Sequence, residues 1–436
     1  NKPTTQYPST PGFISNHWYG RWGQVTIAKA NQHSWNQVLN ATNFSYLLTQ
    51  ARVPTLHYKQ ISYAPRNSLF PAAHGPRERS MSSAQRIDAL TGIRGLAALL
   101  VVYSHLAEDG FFSRSHLYPG EVGVMVFFTL SGFLMAFLYG HKQFDYSAVV
   151  RYGVSRFSRI APAYLFVVLG SYLIYNLIDP SFVYAITHQN LLRHLLFSGN
   201  VSALWSIPPE VQFYAVFVCL WFALWKFRYQ GNASVLAVVL TTIFLLISYR
   251  DQLPGTFVGS KMQYFFSGVL FGLFRNQVWS GKGMHTLALL QGLALIVIGL
   301  VIARILPVEF GSKREFYNYL EGALFSGIFV FIFSFDTLVS KALFGHRPIM
   351  MCGEFSFSMY LLNIPIIYVA MKFLGDHPHS PAMAALITVV IFLLAWLMYR
   401  IIELPGNTLL RRIGTRLLES RPRVIAAPTE ATDALK

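Results

Sequence analysis

From residue 81 onward, apolar stretches of about the length a helix needs to cross a bilayer recur almost without interruption. They fall at 93–107, 121–140, 161–178, 208–226, 233–249, 256–274, 285–303, 319–339, 354–371 and 382–400. In hydrocarbon a segment must satisfy its own backbone polar groups, and a helix does so. The pattern predicts an all-α, polytopic membrane protein of about ten transmembrane helices. The first stretch is short and carries an Arg and a His, which places its lower end in the headgroup layer.

The first 80 residues read differently. They hold no methionine, one acidic residue (Glu78) against eight Lys or Arg, and no apolar run of spanning length. Met81 is the first methionine, and the apolar pattern begins just after it. Residues 1–80 are therefore expected to be a non-domain leader, either translated upstream sequence or an unstructured fragment. Their basic, acid-poor, Ser-rich composition also suits a transit peptide. The transmembrane domain is expected over 81–412, followed by a basic tail over 413–436.

Composition narrows the class. The 436 residues are 53% hydrophobic and 12% charged, half the charge of a soluble domain at roughly 25%, which excludes a disordered chain and disfavours a soluble enzyme. The formal charge of +16 would suit nucleic acid, but the cations sit between apolar segments and at the two ends. With Met81 in the cytoplasm, Lys142, Arg151, Arg156, Arg159, Lys226, Arg228, Arg275, Lys282, Lys341 and Arg347 fall in inner loops, and Glu108, Asp109, Asp179, Asp251, Glu309, Glu315 and Asp376 in outer ones. Both ends then face the cytoplasm. The stretch Arg411 to Arg423 is expected to meet anionic lipid, with no nucleic-acid partner. Cys219 and Cys352 build neither a disulfide framework nor a zinc motif, so no metal is expected.

Ionisable groups inside spans are costly and usually face a cavity or a partner. Arg94 and His105, eleven residues apart, share one helical face, about 16 Å apart along the axis. They read either as a snorkelling Arg with an interfacial His, or as a cationic mouth with a general base at depth. Arg156 and Arg159, at i and i+3, share a face and suit phosphate oxygens, or else anchor topology. In Trp205-Ser-Ile-Pro-Pro-Glu210-Val-Gln-Phe-Tyr214 the two prolines predict a broken or re-entrant entry, and Glu210 needs a partner such as an Arg or His. Gly123 to Phe133 offers small residues for close packing, with Ser131 and Gly132 read mostly as structural. Ser356 and Tyr360 are spaced for one face, by packing or by function.

Taken in order, these pieces resemble the membrane-bound acyltransferase 3 family. The matching elements are Arg94-x10-His105, the stretch with Gly123, Phe127, Phe128, Ser131 and Gly132, and Arg156-x2-Arg159-x2-Pro162. Trp205 to Tyr214, Gly353 to Asn363 and Glu403-x-Pro405 complete the set. The likeness runs from about Gln85 to Arg412. Two positions depart from the family pattern: Asn363 stands where His is frequent, and Phe357 where Tyr is frequent. The sequence after the last apolar stretch is a short basic tail, as in stand-alone members of the family rather than fused ones.

The resemblance implies transfer of an acyl group, usually acetyl from cytoplasmic acetyl-CoA, to a hydroxyl of an envelope carbohydrate, a glycolipid or a related acceptor, without a metal. Arg156 and Arg159 are then the candidates for the CoA phosphates. His105 is the candidate base or acyl-carrying nucleophile, and Glu210 orients or charge-balances it or bonds the sugar. Arg94 binds CoA or stabilises the oxyanion; Tyr214, Ser131 and Trp205 are candidate substrate-binding residues. Acceptor choice is expected in outer loops around 108–120, 179–204 and 304–318. A bacterial inner membrane is the expected location. Two alternatives stand beside this reading: a multi-pass transporter or flippase, and an acyltransferase acting on a lipid-linked or secondary metabolite.

Overall fold

The computed structural model describes residues 87–275, 281–306, 308, 310–375 and 380–419. The expected leader, 1–80, and the end of the expected tail, beyond residue 419, lie outside the described residues. Among the described residues every regular element is helical, with no strand. In order its helices are α1 (Asp88–Glu108), α2 (Pro119–Tyr139), α3 (Tyr146–Leu173), α4 (His188–Leu195), α5 (Ile207–Gln230), α6 (Ala233–Ser248), α7 (Met262–Phe274) and α8 (Gly281–Ile302). They continue with α9 (Lys313–Asn318), α10 (Leu320–Phe333), α11 (Leu338–Phe344), α12 (Arg347–Glu354), α13 (Ser356–Leu374), α14 (Pro381–Met398) and α15 (Leu404–Glu419).

Each of the ten apolar stretches falls on helix. Among the described residues, 7 helical segments are long and apolar enough to cross a membrane, or 8 when the bent pair α10–α11 counts as one span. The expected 233–249 stretch is the shorter helix α6, and the expected 256–274 stretch opens as the 3-10 turn Val258–Lys261 before α7 begins. The expected 319–339 span does not run straight: α10 and α11 are bent by 105°. The break is stitched from outside it. Gln291, buried on α8, donates to the Ile332 carbonyl at 2.7 Å and accepts from the Thr337 hydroxyl. Arg275 donates to the side chain and carbonyl of Ser334.

Local signals fix the ends. Asp145 caps α3 by accepting from Ala148 N–H, so α3 starts well before the apolar stretch at 161–178. Arg156 and Arg159 thus lie several turns inside a helix rather than at its start. Pro208 and Pro209 occupy the first turn of α5, where a missing N–H costs nothing, after the 3-10 turn Ser202–Ser206. Gly231, at φ 66°, ends α5, and Asn232 caps α6, which turns the chain back within two residues.

The surface explains the composition. Leu289, Leu293 and Ile296 on α8 and Leu386, Val389 and Leu393 on α14 are all more than half exposed. In water such stripes would be aggregation sites, whereas against lipid tails they cost nothing. The interior carries large aromatics, among them Tyr152, Tyr164, Phe213, Phe217, Trp221 and Phe265. Gly132, from the stretch read for close packing, serves it: a Cβ there would strike the Phe265 carbonyl of α7, and on the facing helix one on Gly268 would strike the Thr129 carbonyl of α2.

Candidate active site

One cavity of about 280 Å³ opens among α1, α2, α3, α5 and α13. Its walls include six of the eight residues singled out in the sequence: Arg94, Ser131, Arg156, Arg159, Glu210 and Tyr214. His105 and Trp205 are not among its lining. Trp205 stands behind the wall, its ring 6.4 Å from that of Phe128 and 5.6 Å from that of Tyr317.

Glu210 projects from the first turn of α5. Its Oε1 accepts from the Ser131 hydroxyl at 2.6 Å and from the Tyr214 hydroxyl, one turn along the same helix, at 2.8 Å. Arg159 and Arg156 act on it electrostatically. The partners expected for this carboxylate were an Arg or a His; its hydrogen bonds come instead from two hydroxyls, with the guanidinium groups as neighbours. Ser131, read mostly as structural, is thus a ligand of the cavity's carboxylate.

The cations are less well supplied. Arg94 Nη2 donates to Ser356 Oγ at 3.2 Å. Arg156 Nη2 donates to Ser155 Oγ at 3.3 Å, and its Nε is buried without a partner. Three guanidinium groups and one carboxylate leave the cavity with a positive excess.

His105 lies on the same side of α1 as Arg94, and both bond α13. Its Nδ1 is 2.5 Å from Asn363 Oδ1. The amide of Asn363 donates to the carbonyls of Met359 at 3.0 Å and Tyr360 at 2.7 Å, which turns its oxygen toward the ring. That oxygen only accepts, so Nδ1 carries the hydrogen and Nε2 presents its lone pair. The group that orients His105 is therefore Asn363 and not Glu210. Tyr360, one turn before Asn363, and Phe127 line the cavity with their rings 6.4 Å apart. Beyond His105, Lys313 bonds Glu121 at 2.5 Å and Glu108 at 3.3 Å. The Arg314 guanidinium donates to the Asp251 carbonyl, so both of these loop cations have protein partners.

Two further groups went unassigned in the sequence. Glu403, buried at the end of the π turn Tyr399–Glu403, accepts from the Ser358 hydroxyl at 2.6 Å and feels Arg159. Ser356 holds Arg94. The i, i+2 and i+7 placement of Ser356, Ser358 and Asn363 among apolar residues was the available signal, since a polar residue at such positions needs a partner.

Residues 87–400 match the family model described as an acyltransferase domain. The chain is 25% identical to the acyltransferase MdmB of Streptomyces mycarofaciens over 80% of this chain and 96% of that protein. It is 24% identical to the peptidoglycan O-acetyltransferase OatA of Listeria monocytogenes over 74% of this chain and 56% of that one. With the O-acetyltransferase OatA of Staphylococcus aureus the identity is 22%, over 76% of this chain and 58% of the relative. The chain thus spans little more than half of those two O-acetyltransferases. No solved structure matches it.

Proposed function

This chain belongs to the acyltransferase 3 family, and from that premise we propose that it takes an acyl group, acetyl by its likeness to O-acetyltransferases, from cytoplasmic acyl-CoA and passes it to a hydroxyl of an envelope carbohydrate or glycolipid. The observation that carries the reading is the cavity, where Arg94, Arg156 and Arg159 outnumber Glu210. A polyanionic donor fits that balance, and its narrow pantetheine arm fits a passage walled by Phe127, Phe128, Phe357 and Tyr360. Arg156 and Arg159 hold phosphate, and the arm runs past Arg94 toward the level of Tyr360.

Chemistry then falls to His105. Nε2 takes the proton of the acceptor hydroxyl as its oxygen attacks the thioester carbonyl; the C–S bond breaks and the CoA thiolate leaves, taking the proton back from the imidazolium. Asn363 keeps the ring in the competent tautomer throughout. Arg94, about 16 Å from His105 along the axis of α1, lies beside the donor's arm and so holds the donor rather than the oxyanion.

The test is transfer from radiolabelled acetyl-CoA in membranes, comparing wild type with His105→Ala. Label in a carbohydrate fraction that disappears in the variant, with the protein still inserted, is the expected result. Label that persists in the variant would end the role given to His105. Absence of label together with absence of acetyl-CoA binding would turn the reading toward transport.

A further inference from the structure

The last described helix, α15, returns along α3, and the fit is close. A Cβ on Gly406 would meet Pro162 at 2.6 Å, and one on Gly414 would meet Val154 at 2.6 Å. Asn407 Oδ1 accepts from the Ser158 hydroxyl. Asn407, Arg411 and Gly414, at i, i+4 and i+7, share one face of α15. That register brings the Arg411 Nη2 to 3.2 Å from Ser155 Oγ, the same oxygen that Arg156 Nη2 approaches at 3.3 Å.

Two guanidinium ions therefore converge on one neutral hydroxyl. Among the described residues no carboxylate forms an ion pair with Arg156, Arg159 or Arg411, and Arg156 keeps its buried, unpartnered Nε. On the outer side Arg411 shares a groove with Thr408, Arg412, Thr415 and Arg416, which adds cations and hydroxyls rather than acids. Like charges held this close repel, and a packed helix that enforces the approach calls for an anion bridging them. A diphosphate has the charge and the several acceptor oxygens that two forked donors need.

We propose that Arg411, delivered by α15, pairs with Arg156 to bind the diphosphate of the acyl-CoA donor, so that α15 is part of the donor site. The proposal rests on the acyl-CoA reading given above. Arg412 and Arg416 extend the same surface toward the donor's third phosphate.

The experiment is calorimetric titration of the purified full chain in detergent with CoA and, separately, with pantetheine, which lacks phosphates. Arg411→Ala should weaken CoA binding about ten- to a hundredfold, with pantetheine binding unchanged and the ligand-free melting temperature no lower than that of wild type, and Arg411→Lys should recover part of the loss. Gly414→Leu, which pushes α15 off α3, should weaken CoA binding with Arg411 intact. Wild-type protein that binds CoA no better than Arg411→Ala would overturn the proposal and leave the acyl-CoA reading standing. Failure of wild type to bind CoA at all would remove both. A phosphate on a lipid headgroup is the competing source. Loss of anionic-vesicle retention in Arg411→Ala, with CoA affinity untouched, would assign the pair to lipid and against the donor.

Discussion

Asn363 sets the proton on His105. Its side-chain oxygen lies 2.5 Å from Nδ1, while its amide hydrogens go to the carbonyls of Met359 and Tyr360. The amide cannot flip without losing both, so the imidazole is held with Nε2 as its free base. Asn363→Ala leaves the ring free to take either tautomer and orientation. A general base contributes about 10²–10⁴-fold, and loss of its alignment should lower kcat by about ten- to a hundredfold. The KM for acyl-CoA should not move, because Asn363 is remote from the guanidinium groups. Steady-state kinetics read both parameters, and an unchanged kcat would remove Asn363 from the mechanism.

Glu210 offsets the cavity's positive charge from within its wall. Glu210→Gln keeps acceptors for Ser131 and Tyr214 but deletes the charge that Arg159 and Arg156 feel. At the effective dielectric of such sites the change is of order 1 kcal/mol, or about fivefold. A polyanionic donor should then bind more tightly and its thiol product leave more slowly, so KM and kcat fall together. A rise in KM would mean that Glu210 touches the donor directly.

Much of this was legible in the sequence because lipid is an unforgiving solvent. An apolar block of spanning length leaves helix as its main option, so the ten stretches announced ten helical regions. The cost of ionisable groups in hydrocarbon made Arg94 and Glu210 conspicuous, and the i, i+3 spacing did so for Arg156 and Arg159; all four line one cavity. What the sequence concealed depends on contacts distant along the chain. The break between α10 and α11 is held by Gln291 and Arg275, neither of which lies near it in sequence. The link from Asn363 to His105 depends on how α13 is rotated against α1. The early start of α3 was hidden because residues 146–160 mix polar with apolar side chains, although Asp145 stood ready as its cap.

Asp179, just beyond α3, ties the far end of α13 to the loop before α4. Its carboxylate accepts from the Lys372 ammonium at 2.5 Å and from the hydroxyls of Tyr368 and Ser181. The Lys372 bond first, and the Ser181 hydroxyl next, hold the Asp179 carboxyl well below its ordinary range. A folded-state pKa below the unfolded value contributes stability above the unfolded value, about 3.9, and loses it as pH falls toward the folded one. Asp179→Asn should melt below wild type at pH 6–8, by the same margin throughout. The gap should begin to narrow below about pH 4 and go on closing as pH falls toward the folded value. Melting measured against pH in detergent checks this, and a margin that changes between pH 6 and 8 would point to another group.

Gln291 is the test of the α10–α11 break. It is fully buried, and it supplies both a donor to Ile332 and an acceptor to Thr337. The Ile332 carbonyl lies where the helical ladder is interrupted, and Thr337 caps α11 by accepting from Ser340 N–H. Gln291→Leu preserves volume but leaves the buried Ile332 carbonyl without a donor, at about 1–3 kcal/mol, and the Thr337 hydroxyl without an acceptor for its hydrogen. The variant should melt well below wild type. The effect should reach the site as well. A Cβ on Gly92 would strike the Phe344 carbonyl, so α11 abuts α1 within a turn of Arg94. Displacing α11 perturbs the Arg94 end of α1, which it abuts, more than the His105 end eleven residues away. Activity lost in Gln291→Leu below its melting temperature should thus appear as a change in the handling of acyl-CoA. If the variant were as stable and as active as wild type, the turn would be set by its own sequence rather than by α8.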